Sequence, residues 1–373
     1  MSQLKIGFVV NPIAGMGGKV ALKGTDGIKI LKKAIERGAK PIAPIRAKQF
    51  LVSLTKNFKN FKIYTAGKDM GEDICRDLKI SFETIYIPNS PTTSDDTKKF
   101  VHLANNLVDI IVFVGGDGTA RDVMSEVKGN TPVLGIPSGV KVTSECFAIN
   151  PEAASKIIIE FSKSKKTFEA EVIDVDEDAY RNGILKIKLY GYVKVPYIPQ
   201  YIQSSKSPSL NSENEKENQK AIARYIIENM KKDTIYFLGA GTTVSAITQL
   251  LSLNKTILGV DALKNKKIIK MDLSESEIYE MINEDSKIII SPIGKQGFIF
   301  GRGNHQFSAR IVRKIGFKNI IIIATKRKVE SIGNKLRIDF YDDESLNNEL
   351  NGKYIRVLTD YNESRMMKIV YEK

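Results

Sequence analysis

Residues 112–123, "VFVGGDGTARDV", place three glycines directly after a run of β-branched and aromatic residues. Gly115, Gly116 and Gly118 have no Cβ and allow positive φ, so successive backbone N–H groups can converge on an anion. A helix that begins near Ala120 adds the positive end of its dipole to the same point. The spacing therefore predicts an anion-binding loop at the end of a strand.

Two polar side chains in this loop indicate chemistry. Asp117 would repel a phosphate unless it binds Mg²⁺ or takes a proton from an incoming hydroxyl group. Thr119 offers a hydroxyl to a phosphate oxygen. A tight turn between strand and helix is the alternative interpretation, but only a nucleotide-dependent phosphotransfer site uses all five residues. We therefore predict that Asp117 is catalytic and that its neighbours bind nucleotide.

A second glycine-rich loop, "NPIAGMGGK", follows the first predicted strand, where a phosphate-binding loop belongs. It does not match a P-loop, because Lys19 is followed by Val20 instead of a hydroxyl residue. It does not match a dinucleotide fingerprint either. A flexible turn is the alternative interpretation; we predict that Gly15, Gly17 and Gly18 contact the nucleotide.

A third glycine loop, "LGAGTT", lies in the second half of the chain. Here a predicted strand leads to Gly239 and Gly241, and the hydroxyls of Thr242 and Thr243 lie at the start of a predicted helix. This arrangement predicts a second phosphate loop. A capped helix after a tight turn is the alternative.

Other chemically capable residues are few. Arg302, in "GRGN", is a candidate phosphate clamp, and His305 follows in the same glycine-rich segment. His102 lies in an amphipathic helix, where we expect a structural role. The chain has no nucleophile elbow, no histidine pair and no cysteine cluster, which excludes serine-hydrolase and zinc-enzyme classes.

The elements that position these loops follow an alternating pattern of strands and helices in the first 165 residues. This pattern predicts an α/β fold with a doubly wound parallel sheet, in which ligands bind beyond the carboxyl ends of the strands. "INPEAAS" predicts a helix with Asn150 as N-cap and Pro151 at its first position. We assign residues 1–165 to an N-terminal nucleotide-binding kinase domain.

The remainder, residues 166–373, is predicted to form a C-terminal domain with antiparallel β strands and a second α/β segment. Residues 166–200 and 331–373 have β patterns, and residues 221–330 alternate as α/β. Residues 203–220 are almost free of apolar side chains, so we expect a mobile polar loop there.

Composition limits the class of protein. The 373 residues carry a formal net charge of +14, but the excess is spread out, which favours attraction of small anions over nucleic-acid binding. The sequence shows no membrane span and no signal peptide, and two cysteines fit a reduced compartment. We expect a cytoplasmic homo-oligomer that binds small-molecule nucleotides and neither nucleic acid nor a membrane.

These motifs together resemble a known family. "NPIAGMGGK", "GGDGTARDV", "TPVLGIPSGV" and "FAINPEAAS", in this order, are similar to the ATP-NAD kinase/AcoX-like proteins, relatives of diacylglycerol kinases and 6-phosphofructokinase. The likeness extends to "LYGYVKVP", "GAGTT", "LGVDAL", "SPIGKQGFIFGRGNHQFS" and "IIIIATKRK", and so covers most of the chain.

The resemblance implies roles for further residues. Asn11 would hold the nucleotide, and Ser138 with Gly139 would close the same cleft. Asp117 would activate the acceptor hydroxyl or hold Mg²⁺, and Asp122 would help to position the metal. The implied reaction moves a phosphoryl group from ATP, or another donor, to a hydroxyl of a small molecule, with NAD as the leading acceptor and Mg²⁺ as cofactor.

One departure keeps alternatives open. NAD kinases carry an Asn-Glu or Asn-Asp pair that grips the dinucleotide, and none of the Asn-Glu pairs here, such as Asn214-Glu215, is convincingly placed. The alternatives are a kinase for a different metabolite and a non-catalytic regulator that binds nucleotides or sugar phosphates. The intact Asp117 favours catalysis.

Overall fold

The computed structural model describes residues 3–21, 28–138, 142–175, 187–198, 213–256, 258–293 and 296–372. Its first part alternates strands and helices as predicted: β1 (Leu4–Val10), α1 (Ile28–Glu36), α2 (Ala43–Asn57), β2 (Phe61–Ala66), α3 (Glu72–Asp77), β3 (Phe82–Tyr86), α4 (Ser94–Ala104), β4 (Ile110–Gly115), α5 (Asp117–Glu126), β5 (Val133–Pro137) and α6 (Pro151–Ser164). These strands form one sheet in the order β3-β2-β1-β4-β5, with every neighbouring pair parallel.

The strand order places the two N-terminal glycine loops side by side. β1 and β4 are neighbours, and the chain proceeds from β1 to one side of the sheet and from β4 to the other. All six residues of β4 are buried, as expected for a central parallel strand covered on both faces. The loops that follow β1 and β4 therefore open into the crevice where doubly wound sheets bind ligands.

The helix predicted at Pro151 has the expected start. The Asn150 side chain accepts a hydrogen bond from the Ala153 N–H at 2.7 Å, and Pro151 occupies the first helical position. This end of α6 also contacts the C-terminal part of the chain, because the Asn150 side-chain amide donates to the Glu372 carbonyl.

An antiparallel hairpin follows, as the alternating pattern predicted. β6 (Thr167–Val175) pairs with β7 (Ile187–Pro196). Ala170, Val172, Val193 and Val195 pack in the same apolar core as β1 and β4. The hairpin therefore packs against the first sheet, although the predicted boundary assigns it to the second domain.

The second sheet has eight strands. The elements are α7 (Glu213–Glu228), β8 (Ile235–Leu238), α8 (Thr242–Leu250), β9 (Asp261–Lys264), β10 (Lys267–Lys270), α9 (Glu275–Met281), β11 (Lys287–Ile290), α10 (Ala309–Ile315), β12 (Ile320–Ile323), α11 (Lys326–Ser331), β13 (Lys335–Arg337), α12 (Glu344–Leu350), β14 (Tyr354–Asp360) and β15 (Glu363–Val370). The order is β10-β9-β8-β11-β12-β14-β15-β13. β8, β11, β12 and β14 are parallel, and antiparallel strands extend the sheet on both sides.

Two details differ from the expected organisation of this second part. Residues 213–220, expected to be mobile, are the first half of α7, because Ile222, Ala223 and Ile226 bury an apolar face and the preceding Glu, Lys and Gln residues favour helix. The rest of the predicted polar loop, 203–212, lies outside the described residues. The region 331–373 includes the short helix α12 between its strands. Within the described ranges, every helix is too short or too polar to cross a lipid bilayer.

Candidate active site

The first glycine loop is tighter than the sequence suggested. α5 begins at Asp117, three residues before the predicted start, and Gly116 is its N-cap with φ −118° and ψ −167°. The backbone of Gly116 is therefore extended, so a positive φ is not the reason for a glycine at this position. A Cβ on Gly115 would lie 2.3 Å from the Thr119 Oγ1, whereas a Cβ on Gly116 would meet no atom of the described residues within 4 Å. Gly115 is required by internal packing, and the opening of the loop lies above Gly116.

Asn11 and Thr119, both predicted nucleotide contacts, lie together. The Asn11 side-chain amide donates a hydrogen bond to Thr119 Oγ1 at 3.0 Å, and the Asn11 N–H donates to the Val114 carbonyl, also at 3.0 Å. Gly118 lies in the same first turn of α5, whose leading N–H groups have no partner within the helix. The loop after β1 is thus fastened to the end of β4 and the start of α5.

Ser138 completes this convergence from the end of β5. Its N–H donates to the Gly115 carbonyl at 2.9 Å. Its carbonyl oxygen would lie 2.2 Å from a Cβ on Gly15, which has φ +87°. Gly17 and Gly18 are buried in the same loop. The buried Ser138 hydroxyl has no hydrogen-bond partner among the described residues, whereas buried polar atoms are normally paired. Gly139 lies outside the described residues.

Asp117 has a structural function that the sequence analysis did not predict. One carboxylate oxygen accepts hydrogen bonds from the Thr143 N–H and Oγ1, both at 2.7 Å. The other accepts from the Ser144 N–H at 2.9 Å and Oγ at 2.7 Å. Both hydroxyls also lie within hydrogen-bond distance of the Ile173 carbonyl on β6. Asp117 therefore ties the start of α5 to the loop after β5 and to the hairpin.

Burial decides the acidity of Asp117. Removal from water raises the pKa of this carboxyl above its ordinary value, and the hydrogen bonds from Ser144 and Thr143 oppose that rise. A buried carboxylate with a raised pKa is a suitable proton acceptor near neutral pH. Asp117 thus combines the electrostatics of a base with the contacts of a structural tether.

The two residues predicted to hold Mg²⁺, Asp117 and Asp122, lie apart on α5. Asp117 and Asp122 are five positions apart on α5, which turns their side chains about 140° from each other. The Asp122 Oδ1 lies 3.8 Å from the Lys98 ammonium instead. No group of three or more His, Cys, Asp or Glu side chains in the described ranges could hold a metal ion.

The third glycine loop lies at the corresponding position of the second sheet. The strands after β8 continue on one side and β11 lies on the other, so the crevice opens at the ends of β8 and β11. Gly241 has φ +114°, and the nearest atom to its added Cβ is the Ser291 Cβ at 4.0 Å. Gly239, by contrast, packs against β11. The loop opening is therefore above Gly241.

The two hydroxyls of this loop differ in environment. Thr242 is exposed, and its Oγ1 lies 3.3 Å from the Gln219 side-chain amide of α7, which donates to it. Thr243 is buried. In the described ranges, no side chain caps the N-terminus of α8, so its leading N–H groups are available to an anion.

The segment after β11 connects this second crevice to the first domain. It begins at Ser291, beside Gly241, and reaches Arg302, whose Nη1 donates to the Ile149 carbonyl at 2.7 Å. His305 follows and is buried, and no described residue forms a hydrogen bond with its Nδ1. Burial and the positive charges of Arg46, Lys19 and Arg302 lower the pKa of His305 to about 3. His305 is therefore neutral in this segment between the two domains. The other histidine, His102, is exposed on α4.

A cleft of about 740 Å³ opens between the two domains at the end of the loop that follows β1. Lys19 lines it, and its ammonium pairs with Asp342 of the second domain at 2.6 Å. On the opposite wall the buried Glu275 carboxylate accepts hydrogen bonds from Arg310 and Ser308. The cleft therefore begins where the predicted nucleotide loop ends.

Comparison with protein families accounts for both halves of this arrangement. The family model of the ATP-NAD kinase N-terminal domain matches residues 6–166, and that of the ATP-NAD kinase C-terminal domain matches residues 232–369. The chain belongs to the ATP-NAD kinase family. No curated protein and no solved structure matches it.

Membership of the ATP-NAD kinase family confirms the predicted class of activity. The chain is an ATP-dependent, NAD kinase-like phosphotransferase, with the α/β fold and the mixed C-terminal sheet that the sequence predicted. The two matched ranges contain all three glycine loops. The family matches cover ranges of the chain and assign no role to an individual residue.

Sequence reasoning missed several residues that hold this site together. Thr143 and Ser144 bind Asp117, and their signal was two adjacent hydroxyl residues shortly after a buried strand. Arg46 and Asp339 form a buried ion pair between the domains. No local pattern marks that pair, because its members are 293 positions apart.

Proposed function

We propose that the ATP phosphates bind at the first crevice, against the start of α5, the loop after β1 and Ser138. The convergence of these three segments around the opening at Gly116 carries this proposal. The free N–H groups at a helix start attract anions, and the buried Ser138 hydroxyl, which has no partner within the described part of the chain, can donate a hydrogen bond to a phosphate oxygen. The interdomain cleft beside Lys19 has room for the remainder of a nucleotide.

Asp117 is the proposed base of the reaction. The acceptor hydroxyl would give its proton to the Asp117 carboxylate while its oxygen forms a bond to the γ-phosphorus, and the bond from that phosphorus to ADP breaks. The raised pKa of Asp117 suits it to this step. Because Thr143 and Ser144 occupy both carboxylate oxygens, the acceptor must replace one of these hydrogen bonds.

Mg²⁺ dependence is also a proposal. The described side chains offer no acidic cluster for a resident ion, so the ion would arrive on the phosphates of ATP and interact with few protein groups.

The loop at Gly239–Thr243 is proposed as a second phosphate site, for the acceptor. NAD carries phosphates of its own, and the open helix start at Gly241 offers N–H groups and hydroxyls without any acid. Ser291 lies beside this opening, at the end of the neighbouring strand.

The decisive test is formation of NADP from ATP and NAD, measured with an NADP-specific dehydrogenase, with and without Mg²⁺. We expect NADP to accumulate only with the metal. If another metabolite is phosphorylated and no NADP forms, the acceptor is that metabolite and not NAD. Nucleotide binding without any turnover would favour the alternative of a non-catalytic, nucleotide-binding regulator.

Location and assembly complete the proposal. Cys75 and Cys146 are buried free thiols, which supports a reduced, cytoplasmic setting. Exposed Leu189, Tyr192 and Tyr197 on or beside β7 support contact between copies in a homo-oligomer. Sedimentation velocity tests the oligomer, with a monomer at micromolar concentration as the contrary result.

A further inference from the structure

The two walls of the interdomain cleft carry opposite charges. The first domain contributes three basic side chains to the lining: Lys19, Arg37 and Lys40. The second domain contributes one arginine, Arg310, and five acids: Asp272, Glu275, Glu277, Asp342 and Asp343. A concave surface lined by charges of one sign raises the local concentration of ions of the other sign. The first-domain wall therefore favours an anion.

Most acids of the second-domain wall have a basic partner in their own domain. Glu275, Glu277 and Asp343 each form an ion pair with a lysine or arginine of the second domain. Asp342 differs from these three, because its carboxylate pairs across the cleft with the Lys19 ammonium, at 2.6 Å. Asp342 is thus the acid that neutralises part of the basic wall.

The rest of the basic wall lacks such a partner. In the part of the chain that the structure describes, no acidic side chain pairs with Arg37 or Lys40, and both are exposed. Arg37 donates to the Val20 carbonyl at 3.0 Å, which holds it beside the loop after β1. Two cations without a counterion on the wall of a cleft stabilise a bound anion. This wall is therefore the part of the cleft that suits a phosphate group.

Lys19 is fixed through its backbone, whereas its side chain can change partner. The Lys19 carbonyl accepts a hydrogen bond from the Glu275 N–H at 2.9 Å, and its ammonium lies 4.9 Å from the centre of the Tyr341 ring. The Lys19 and Asp342 side chains are 30% and 37% exposed. An ion pair with this exposure contributes little to stability, so an incoming phosphate can displace Asp342 at small cost.

We infer that the first-domain wall of the interdomain cleft binds a phosphate group, and that Lys19 exchanges Asp342 for this phosphate. Arg37 and Lys40 add positive charge to the same site. Asp342 weakens binding, because it occupies the Lys19 ammonium and repels an incoming anion. The inference concerns a site other than the opening at Gly116, and it does not require the ATP phosphates to bind there. The carrier of the phosphate group is a nucleotide or a free inorganic ion, and the test distinguishes the two.

The test is calorimetric titration with inorganic pyrophosphate in the absence of metal. Lys19→Gln should weaken pyrophosphate binding about tenfold, because a charge-assisted contact is lost. Asp342→Asn should tighten it about threefold in the wild-type background and by less than about 1.5-fold in the Lys19→Gln background. If Lys19→Gln does not fold, Lys40→Gln at an exposed position takes its place and should weaken binding about threefold.

Two matched controls separate exchange at Lys19 from a general effect of charge. Asp343→Asn removes the same charge from the adjacent position in the cleft, but the partner of Asp343 is Arg313. It should change pyrophosphate affinity by less than about 1.5-fold. Lys318 is exposed and lies outside the lining of the cleft, so Lys318→Gln should leave pyrophosphate affinity unchanged.

Titrations of Lys19→Gln with ATP and with NAD identify the carrier. If a nucleotide carries the phosphate, its affinity should fall about as much as that of pyrophosphate, and pyrophosphate should compete with it. If the ion is free, ATP and NAD affinities should stay unchanged and pyrophosphate should bind in their presence.

Three results decide between the inference and the proposed function. Unchanged affinity for pyrophosphate, ATP and NAD in Lys19→Gln would overturn the inference. Equal gains from Asp342→Asn with and without Lys19 would show a general effect of charge and would overturn the exchange. Gly116→Ala, which places a methyl group in the opening of the first crevice, should leave the Lys19-dependent binding intact. Loss of that binding in Gly116→Ala would mean that the cleft is no separate site, whatever the fate of NADP formation.

Discussion

The two crevices of the molecule have the same plan and different contents. At the end of β4 and at the end of β8, a strand runs through a glycine loop into a helix at the point where the strand order changes direction. In the first crevice Asp117 lies at the helix start, and four hydrogen bonds fill its carboxylate. In the second crevice, the loop Gly239–Thr243 contains no acidic residue and is open above Gly241.

The difference shows that similar glycine patterns meet different physical needs. Gly115 is required because Thr119 occupies the space of its Cβ, and Gly241 because its φ is +114°. By contrast, a Cβ added at Gly116 would meet no described atom within 4 Å, and one at Gly241 would meet only the Ser291 Cβ, at 4.0 Å. A glycine motif therefore locates a crevice, but the surrounding packing decides which glycine can face a ligand.

The largest effect is expected from replacing Asp117, the acid of the first crevice. Asp117→Asn should lower kcat for NADP formation by roughly 10²-fold or more, because an amide cannot take the proton. It should also lower the free energy of unfolding by about 1–3 kcal/mol, since the amide NH₂ would face the donors Thr143 and Ser144. Urea denaturation measures this second effect.

The control for Asp117 is Asp122→Asn on the same helix. We expect its turnover to stay within a few-fold of the wild-type value, because Asp122 faces Lys98. Undiminished turnover in Asp117→Asn would remove the catalytic role and leave only the tether.

The next comparison lies within the first loop. Gly115→Ala should destabilise the protein by about 1–3 kcal/mol, because its methyl group would overlap Thr119. Gly116→Ala should cost less than about 1 kcal/mol, the usual difference between glycine and alanine at an N-cap. It should nevertheless weaken ATP binding about tenfold, because the methyl group enters the opening where phosphate must approach. Unchanged ATP affinity in Gly116→Ala would place the phosphates elsewhere.

His305, in the segment that connects the second crevice to the first domain, gives a prediction about how stability depends on pH. His305 has a folded pKa of about 3, below its value of about 6.5 in an unfolded chain. The unfolded state then binds the proton first, so stability is retained above pH 6.5 and is lost as the pH falls toward 3. Between pH 7.5 and pH 5 the loss should be about 2 kcal/mol.

His305→Gln should remove this part of the pH dependence in urea denaturation, and exposed His102→Gln should not. A slope that is the same in wild type and His305→Gln would show that His305 is not buried as a neutral group. The surroundings of His305 would then be accessible to water.

Much of the fold followed from local patterns, whereas the contacts that complete the site did not. The parallel sheet, the antiparallel hairpin and the start at Asn150 depend on periodicity and capping, which a short window of sequence contains. The helix at 213–220 was missed because its apolar face begins only at Ile222. The tether of Asp117 and the Arg46–Asp339 pair join distant segments, and only the packed sheets bring them together.

The smallest expected effect tests whether the two crevices bind separately. Gly241→Ala places a methyl group at φ +114°, which should cost about 1–2 kcal/mol of stability. Gly316→Ala is the matched control, since Gly316 also has positive φ and open space but lies at the end of α10. Both variants should lose similar stability, and only Gly241→Ala should weaken binding of NAD or a sugar phosphate, about threefold.

Metal removal sharpens this last prediction. The first crevice holds an acid, so triphosphate binding there should weaken sharply in EDTA, whereas the second has only N–H groups and hydroxyls and should bind a phosphate without metal. Calorimetric titration of Gly116→Ala and Gly241→Ala with ATP and NAD, with and without EDTA, separates the two. Gly241→Ala should remove only the EDTA-resistant part. If the two variants lose all binding equally, the loops serve one shared cleft, because a methyl group in either would then obstruct the same ligand.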